Sequence, residues 1–290
     1  MPKTNQGLRS RSIRLTTPDG IPLVARWFEP HEPAQMTVVM LPGIGLPQRA
    51  FRHLATWLAE RGARCLTFDY RGIGESMTRP DTVETATLSA WARLDAVTAL
   101  RYAQTRWAEP VVLMAHSFGG QLLGLDESFR EVHAAVLFGS GIGLGRYWDG
   151  ADRLKIGIYW HVALPLAGSL FALLPAWLCF GTRLPRGVAR EWAGWGRSPQ
   201  WFLSREPDAA AIFAAFDKPV LAYAIEDDAL APPRAVTALL ELLTAAKITR
   251  RDLALSEIGA ARIGHVGFLK PGLMEPAWEE VLAFFRRHVS

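Results

Sequence analysis

The sequence predicts an α/β protein: a mostly parallel sheet with helices on both faces and a helical segment inserted after the sixth strand. Three observations predict it. An Asp-Gly turn between two strand-like stretches opens the chain. Unbroken apolar runs then alternate with amphipathic stretches, as strands buried on both faces require. The alternation stops over residues 142–216 and resumes at residue 218.

The elements follow in order. "SIRLTT" and "IPLVARWF" flank Asp19-Gly20 and read as a hairpin, and "TVVMLPG" reads as a buried strand ending in a loop. "AFRHLATWLAERG" has apolar residues at helical spacing and a closing glycine. "ARCLTFD" is a strand, "YRGIGES" a glycine loop and "LSAWARLDAVTALRYAQ" an amphipathic helix. "PVVLMA" is a strand, "QLLGL" starts a helix, and "AAVLFGSG" is the next strand. After the insertion come a strand "KPVLAYAIEDD", a helix "AVTALLELLTAA", a strand near "RRDLALSEI" and a last helix "EPAWEEVLAFFRRH". The chain divides into a core of residues 1–141 and 217–290 and a helical cap, or lid, of residues 142–216. The cap holds six of the eleven tryptophans and no convincing strand.

With 290 residues the chain buries a sizeable core. Half the residues are hydrophobic, 21% are charged, and the net charge is +4. The charges are scattered, with no basic run or basic-aromatic patch, which argues against nucleic acid as a partner. Cys65 and Cys179 both lie in apolar runs and read as buried thiols of a reducing, cytoplasmic protein. No Cys/His cluster has metal-ligand spacing. The first fifteen residues lack an apolar signal core.

The cap contains "IGIYWHVALPLAGSLFALLPAWLCFG", 26 residues without a formal charge. Its length would suffice to cross a membrane. Pro165 and Pro175 predict instead that it breaks into two short helices. A single crossing would also separate groups that the chemistry below brings together. Weak interfacial contact with a membrane through the cap is the remaining expectation.

The chemistry centres on "AHSFGG", residues 115–120. A serine on a sharp turn between a buried strand and a helix has the setting of a nucleophile elbow, with Ala115 replacing the usual first glycine. An alcohol at its free pKa is a weak nucleophile, so Ser117 needs a base, and the base needs an acid to orient it. His265, in "IGHVGF" after the last strand, stands where the base belongs. His116 adjoins the serine and reads as packing. The loop "EDDALAPP" offers Glu226, Asp227 and Asp228 as the acid. The backbone N–H groups of Phe118, after the nucleophile, and Ile44, in "PGIG", are placed to hold an oxyanion. None of the "GIG" triplets completes a dinucleotide or phosphate loop. Asp69 and Arg71 read as hydrogen-bonding pins of the "FDYRGIGES" loop, with Gly72 and Gly74 permitting its turn.

"LPGIG", "FDYRGIGES", "AHSFGGQ", "EDDALAPP" and "IGHVGF", in that order, resemble the α/β-hydrolase superfamily. The loops are similar to its serine aminopeptidase and monoacylglycerol-lipase-like branch. The cap's "RLPRGVAREWAGW" is similar to a group of uncharacterised bacterial predicted hydrolases. The resemblance covers residues 35–141 and 217–290. It implies a Ser117–Asp228–His265 triad, the acid chosen by counting back from Pro232, with Asp227 the runner-up. It implies no cofactor and no metal. The expected activity is a serine hydrolase cleaving an ester or thioester with an apolar group. Acyltransferase, peptidase and a silent binding module on the same scaffold are the alternatives. Pro42, where many relatives carry histidine, changes how the oxyanion loop is braced but not its backbone donors.

Overall fold

In a computed structural model of the chain, residues 9–179 and 181–289 are described. The reading of the extreme N-terminus falls mainly on residues 1–8, outside them. The described residues form ten strands: β1 Arg9–Thr16, β2 Pro22–Glu29, β3 Met36–Leu41, β4 Ala63–Phe68, β5 Val111–His116, β6 Ala135–Phe138, β7 Leu173–Leu174, β8 Leu184–Pro185, β9 Val220–Ile225 and β10 Ile248–Leu253. Eight form one sheet in the order β1-β2-β4-β3-β5-β6-β9-β10. β1 and β2 pair antiparallel around Gly20, whose φ of +80° suits the turn. β2 is antiparallel to β4, and every later pairing in this sheet is parallel.

The continuous apolar runs are explained by cover on both faces. Along β3, Met36, Val38 and Met40 join one core with Leu54 and Leu58 of the helix Arg52–Ala59 and with Trp278 and Phe285 of the helix Glu275–Val289. Val39 and Leu41 join the other core, with Trp91, Leu100 and Phe118. The second core reaches into residues 142–216 through Trp160, Leu164, Trp195 and Phe202. Cys65 and Cys179 are buried and free, and burial raises both thiol pKa values.

Three local expectations change. Residues 150–170 form one helix, not two, although Pro165 lies within it. A wider π-helical stretch, Tyr159–Ala163, immediately precedes Leu164 and Pro165 and absorbs the missing proline N–H. Residues 142–216 do contain strand: the two-residue ladder β7–β8, antiparallel and outside the main sheet. The last strand ends at Leu253, and Leu255–Ile258 is a helical turn closed by Gly259 at φ +66°.

Candidate active site

The loops after β3, β5, β6, β9 and β10 all leave the same edge of the sheet, the carboxyl ends of its parallel strands, where open α/β sheets place ligands. Ser117 stands between β5 and the helical turn Phe118–Gln121 with φ +53° and ψ −116°. This is a left-handed conformation that a serine adopts only under constraint. The constraint is visible. The Ser117 N–H donates to the Phe138 carbonyl at 3.0 Å, and its own carbonyl accepts from Gly120 at 3.1 Å. A Cβ at Gly119 would stand 2.2 Å from the Leu41 carbonyl oxygen, so the turn presses directly on β3. Ala115, in place of the expected glycine, is fully buried within β5.

His265 Nδ1 lies 2.8 Å from Asp228 Oδ2 and 3.0 Å from Oδ1. The carboxylate can only accept, so Nδ1 carries the proton and, in the neutral ring, Nε2 the free lone pair. Asp228 Oδ1 also accepts from the Leu230 and Ala231 N–H groups, at 2.8 and 2.9 Å. Burial raises the pKa of this carboxyl, but the hydrogen bond and charge of His265 and those two N–H groups outweigh it, and the net shift is downward. Asp227 faces a different way. Its two oxygens accept from the N–H groups of Ile263 and Gly264, at 3.0 and 2.8 Å. One carboxylate therefore holds the histidine ring while its neighbour holds the main chain leading to it. Glu226 accepts from the Leu255 N–H.

A cavity of about 130 Å³ opens beside these groups, with Ile44, Ser117, Phe118 and His265 in its lining. Neither the Ile44 nor the Phe118 N–H has an acceptor among the described residues. The loop carrying Ile44 turns at Gly45, φ +71°, and Tyr70 Oη donates to the Pro42 carbonyl at 3.1 Å. That bond braces the loop at Pro42. The pins read from the next loop are present: Asp69 accepts from the Gln48 and Glu75 N–H groups, and Arg71 is buried between Asp19 and Asp95.

The far wall comes from residues 142–216: Trp148, Tyr159, Trp160, Trp192 and Trp201. Three of these indoles donate to neighbouring segments, Trp148 to the Ala229 carbonyl, Trp160 to the Gly143 carbonyl and Trp201 to Gln121 Oε1. Nothing in the order of residues separates these wall residues from Trp195, fully buried behind them, or from Trp177, which is exposed.

A family profile described as "Alpha/beta hydrolase family" matches residues 38–280. The chain belongs to the α/β-hydrolase family. Among curated proteins it is similar to the polyketide transferase grgF of a Penicillium species, 30% identical over 135 residues. That match spans 46% of this chain and 46% of that relative, about half the length of each. Among solved structures, the Pyrococcus furiosus esterase Pf2001 superposes with a TM-score of 0.65 at 17% identity, over 98% of this chain and 92% of that one. The α/β-hydrolase GrgF from Penicillium sp. sh18 superposes with a TM-score of 0.61 at 21% identity, over 97% of this chain and 99% of that one. At such identities the likeness concerns the fold.

Proposed function

We propose that this α/β-hydrolase is a serine hydrolase that cleaves an ester or thioester carrying an apolar group. The observation that carries the reading is the Asp228 carboxylate on His265 Nδ1, with that ring lining the same apolar cavity as the strained Ser117. Ser117 Oγ attacks the carbonyl carbon while His265 Nε2 accepts its proton. Asp228 fixes the tautomer and stabilises the imidazolium. The Ile44 and Phe118 N–H groups receive the oxyanion. Collapse of the tetrahedral intermediate expels the alcohol or thiol, which takes the proton back from His265. Water, deprotonated by His265, then attacks the acyl-enzyme and frees Ser117. Residues 142–216 serve as the cap, and their aromatic wall receives the apolar part of the substrate. The buried thiols fit a reducing cytoplasm.

The test is labelling with a fluorophosphonate probe, wild type beside Ser117→Ala. Attachment at residue 117 in the wild type alone is the expected result. A folded wild type that does not label refutes the proposal and favours a silent binding module. A second reading, transfer of the acyl group to an acceptor other than water, is favoured by the polyketide transferase name of the Penicillium relative. Product analysis with added alcohols and amines separates it from hydrolysis.

A further inference from the structure

Among the described residues, seven of the eight large hydrophobic side chains exposed to solvent fall within residues 154–177. Five of them, Leu154, Ile158, Val162, Leu166 and Leu170, recur every four residues along the helix of residues 150–170, and each is at least half exposed. In a regular α-helix a four-residue repeat drifts by about 40° per step, so five such positions would wind well round the axis. The wider π-helical stretch Tyr159–Ala163 takes up part of that drift and keeps the stripe facing outward. The opposite side of the same helix supplies Ile156, Tyr159 and Trp160 to the cavity wall. A helix that is apolar on both sides is built to be covered on both sides. Just beyond it, Trp177 is 83% exposed.

The charge around the stripe leans positive, although Lys155 pairs with Asp152, and Asp149 and Glu191, just outside, are held by Arg234 and Ser89. Residues 150–190 contain five cations, Arg153, Lys155, Arg183, Arg186 and Arg190, against the single carboxylate of Asp152. That matches the chain's whole excess of +4, and the remaining residues are balanced. Arg153 and Lys155 flank Leu154 at one end of the stripe. At the other, Arg186 Nε donates to the Phe171 carbonyl, and the Arg190 stem lies beside Gly168.

We propose that this face docks the protein onto an anionic lipid surface. The helix lies in the plane of the interface, with the stripe in the acyl boundary, Trp177 at headgroup level and the cations on lipid phosphates. No helix of the described residues is long and apolar enough to cross a membrane, so the contact is interfacial. A second copy is the poorer occupant. A two-fold contact sets the stripe, with its net positive charge, against a copy of itself.

The test is flotation of the full chain with vesicles of phosphatidylcholine alone or mixed with phosphatidylglycerol. The wild type is expected to float with the mixed vesicles and at least about tenfold less with the neutral ones. The double variant Ile158→Glu/Leu166→Glu is expected to lose about tenfold or more in partition with an unchanged circular dichroism spectrum. Arg153→Gln/Arg190→Gln provides a second variant, expected to lose affinity for the mixed vesicles only. Absence of wild-type flotation, equal flotation with both compositions, or undiminished binding by the glutamate variant overturns the proposal. So does light scattering that finds a wild-type dimer which the glutamate variant converts to monomer. The surface reading stands or falls separately from Ser117 chemistry, because no outcome depends on turnover.

Discussion

His116 Nε2 donates to the main-chain carbonyl of His265 across 2.9 Å. The residue before the proposed nucleophile thus grips the backbone of the proposed base, and the two rings lie 4.6 Å apart. Only a protonated Nε2 can donate to a carbonyl, so Nδ1 carries a lone pair. It is buried without a partner among the described residues.

Burial, with His265 nearby, pushes the pKa of His116 from 6.5 down to about 3. The unfolded chain takes up this proton near pH 6.5 and the folded chain only near pH 3. Stability from this group is therefore full above pH 6.5, falls as pH drops through the window, and is fully lost below pH 3. The expected loss between pH 7 and pH 5 is about 2 kcal/mol. Urea midpoints across that range, wild type beside His116→Gln, measure it. Parallel slopes in the two proteins would contradict it.

The neighbouring carboxylates should separate by kinetics. Asp228→Asn is expected to lower kcat by about 10³ to 10⁴, because the amide favours the wrong tautomer of His265. Asp227→Asn keeps an acceptor oxygen for one of the two N–H groups it serves and should cost less than about tenfold. The reverse order would assign the triad acid to Asp227.

Backbone strain at Ser117 predicts a stability difference between two variants of that residue. Ser117→Ala retains a Cβ at φ +53°, and Ser117→Gly removes it. The glycine variant should be more stable by about 1 kcal/mol, after its greater unfolded-state freedom is counted. Calorimetric Tm values decide it, and an alanine variant as stable as the glycine one refutes the strain argument.

Under the proposed function, the cavity of about 130 Å³ receives the apolar group of the substrate. A cavity of about 150 Å³ holds benzene. Among p-nitrophenyl esters, kcat/KM should peak at short or benzoyl-sized acyl groups and fall by about tenfold or more for long chains. Trp192→Ala should move the peak to longer chains. A wild-type profile that rises steadily with chain length would refute the size limit.

The parallel strands were legible because burial on both faces leaves an uninterrupted apolar run, and β3, β5 and β9 have no exposed position. The placement of Ser117 on a strand-to-helix turn and of His265 after the last strand was legible from chain order and flanking glycines. The choice of Asp228 over Asp227 rested only on the count back from Pro232. The two side chains are chemically identical, and only the direction of the backbone leaving β9 decides which meets a ring and which meets N–H groups. The part played by His116 was missed for a similar reason, since its partner is a main-chain carbonyl 149 residues away. Continuation of the helix through Pro165 depends on a local widening that apolar periodicity does not encode.

The contact between Gly119 and the Leu41 carbonyl divides the molecule for anyone wishing to redesign it. The serine turn leans on main chain, with no side chain between that could be exchanged for another. Randomising codons there would mostly yield chains that do not fold. The tryptophan wall is made of side chains from one continuous segment. Under the proposed function, a library confined to residues 142–216 would alter which molecules enter while leaving Ser117, Asp228 and His265 in place, so selectivity could drift without reinventing the chemistry.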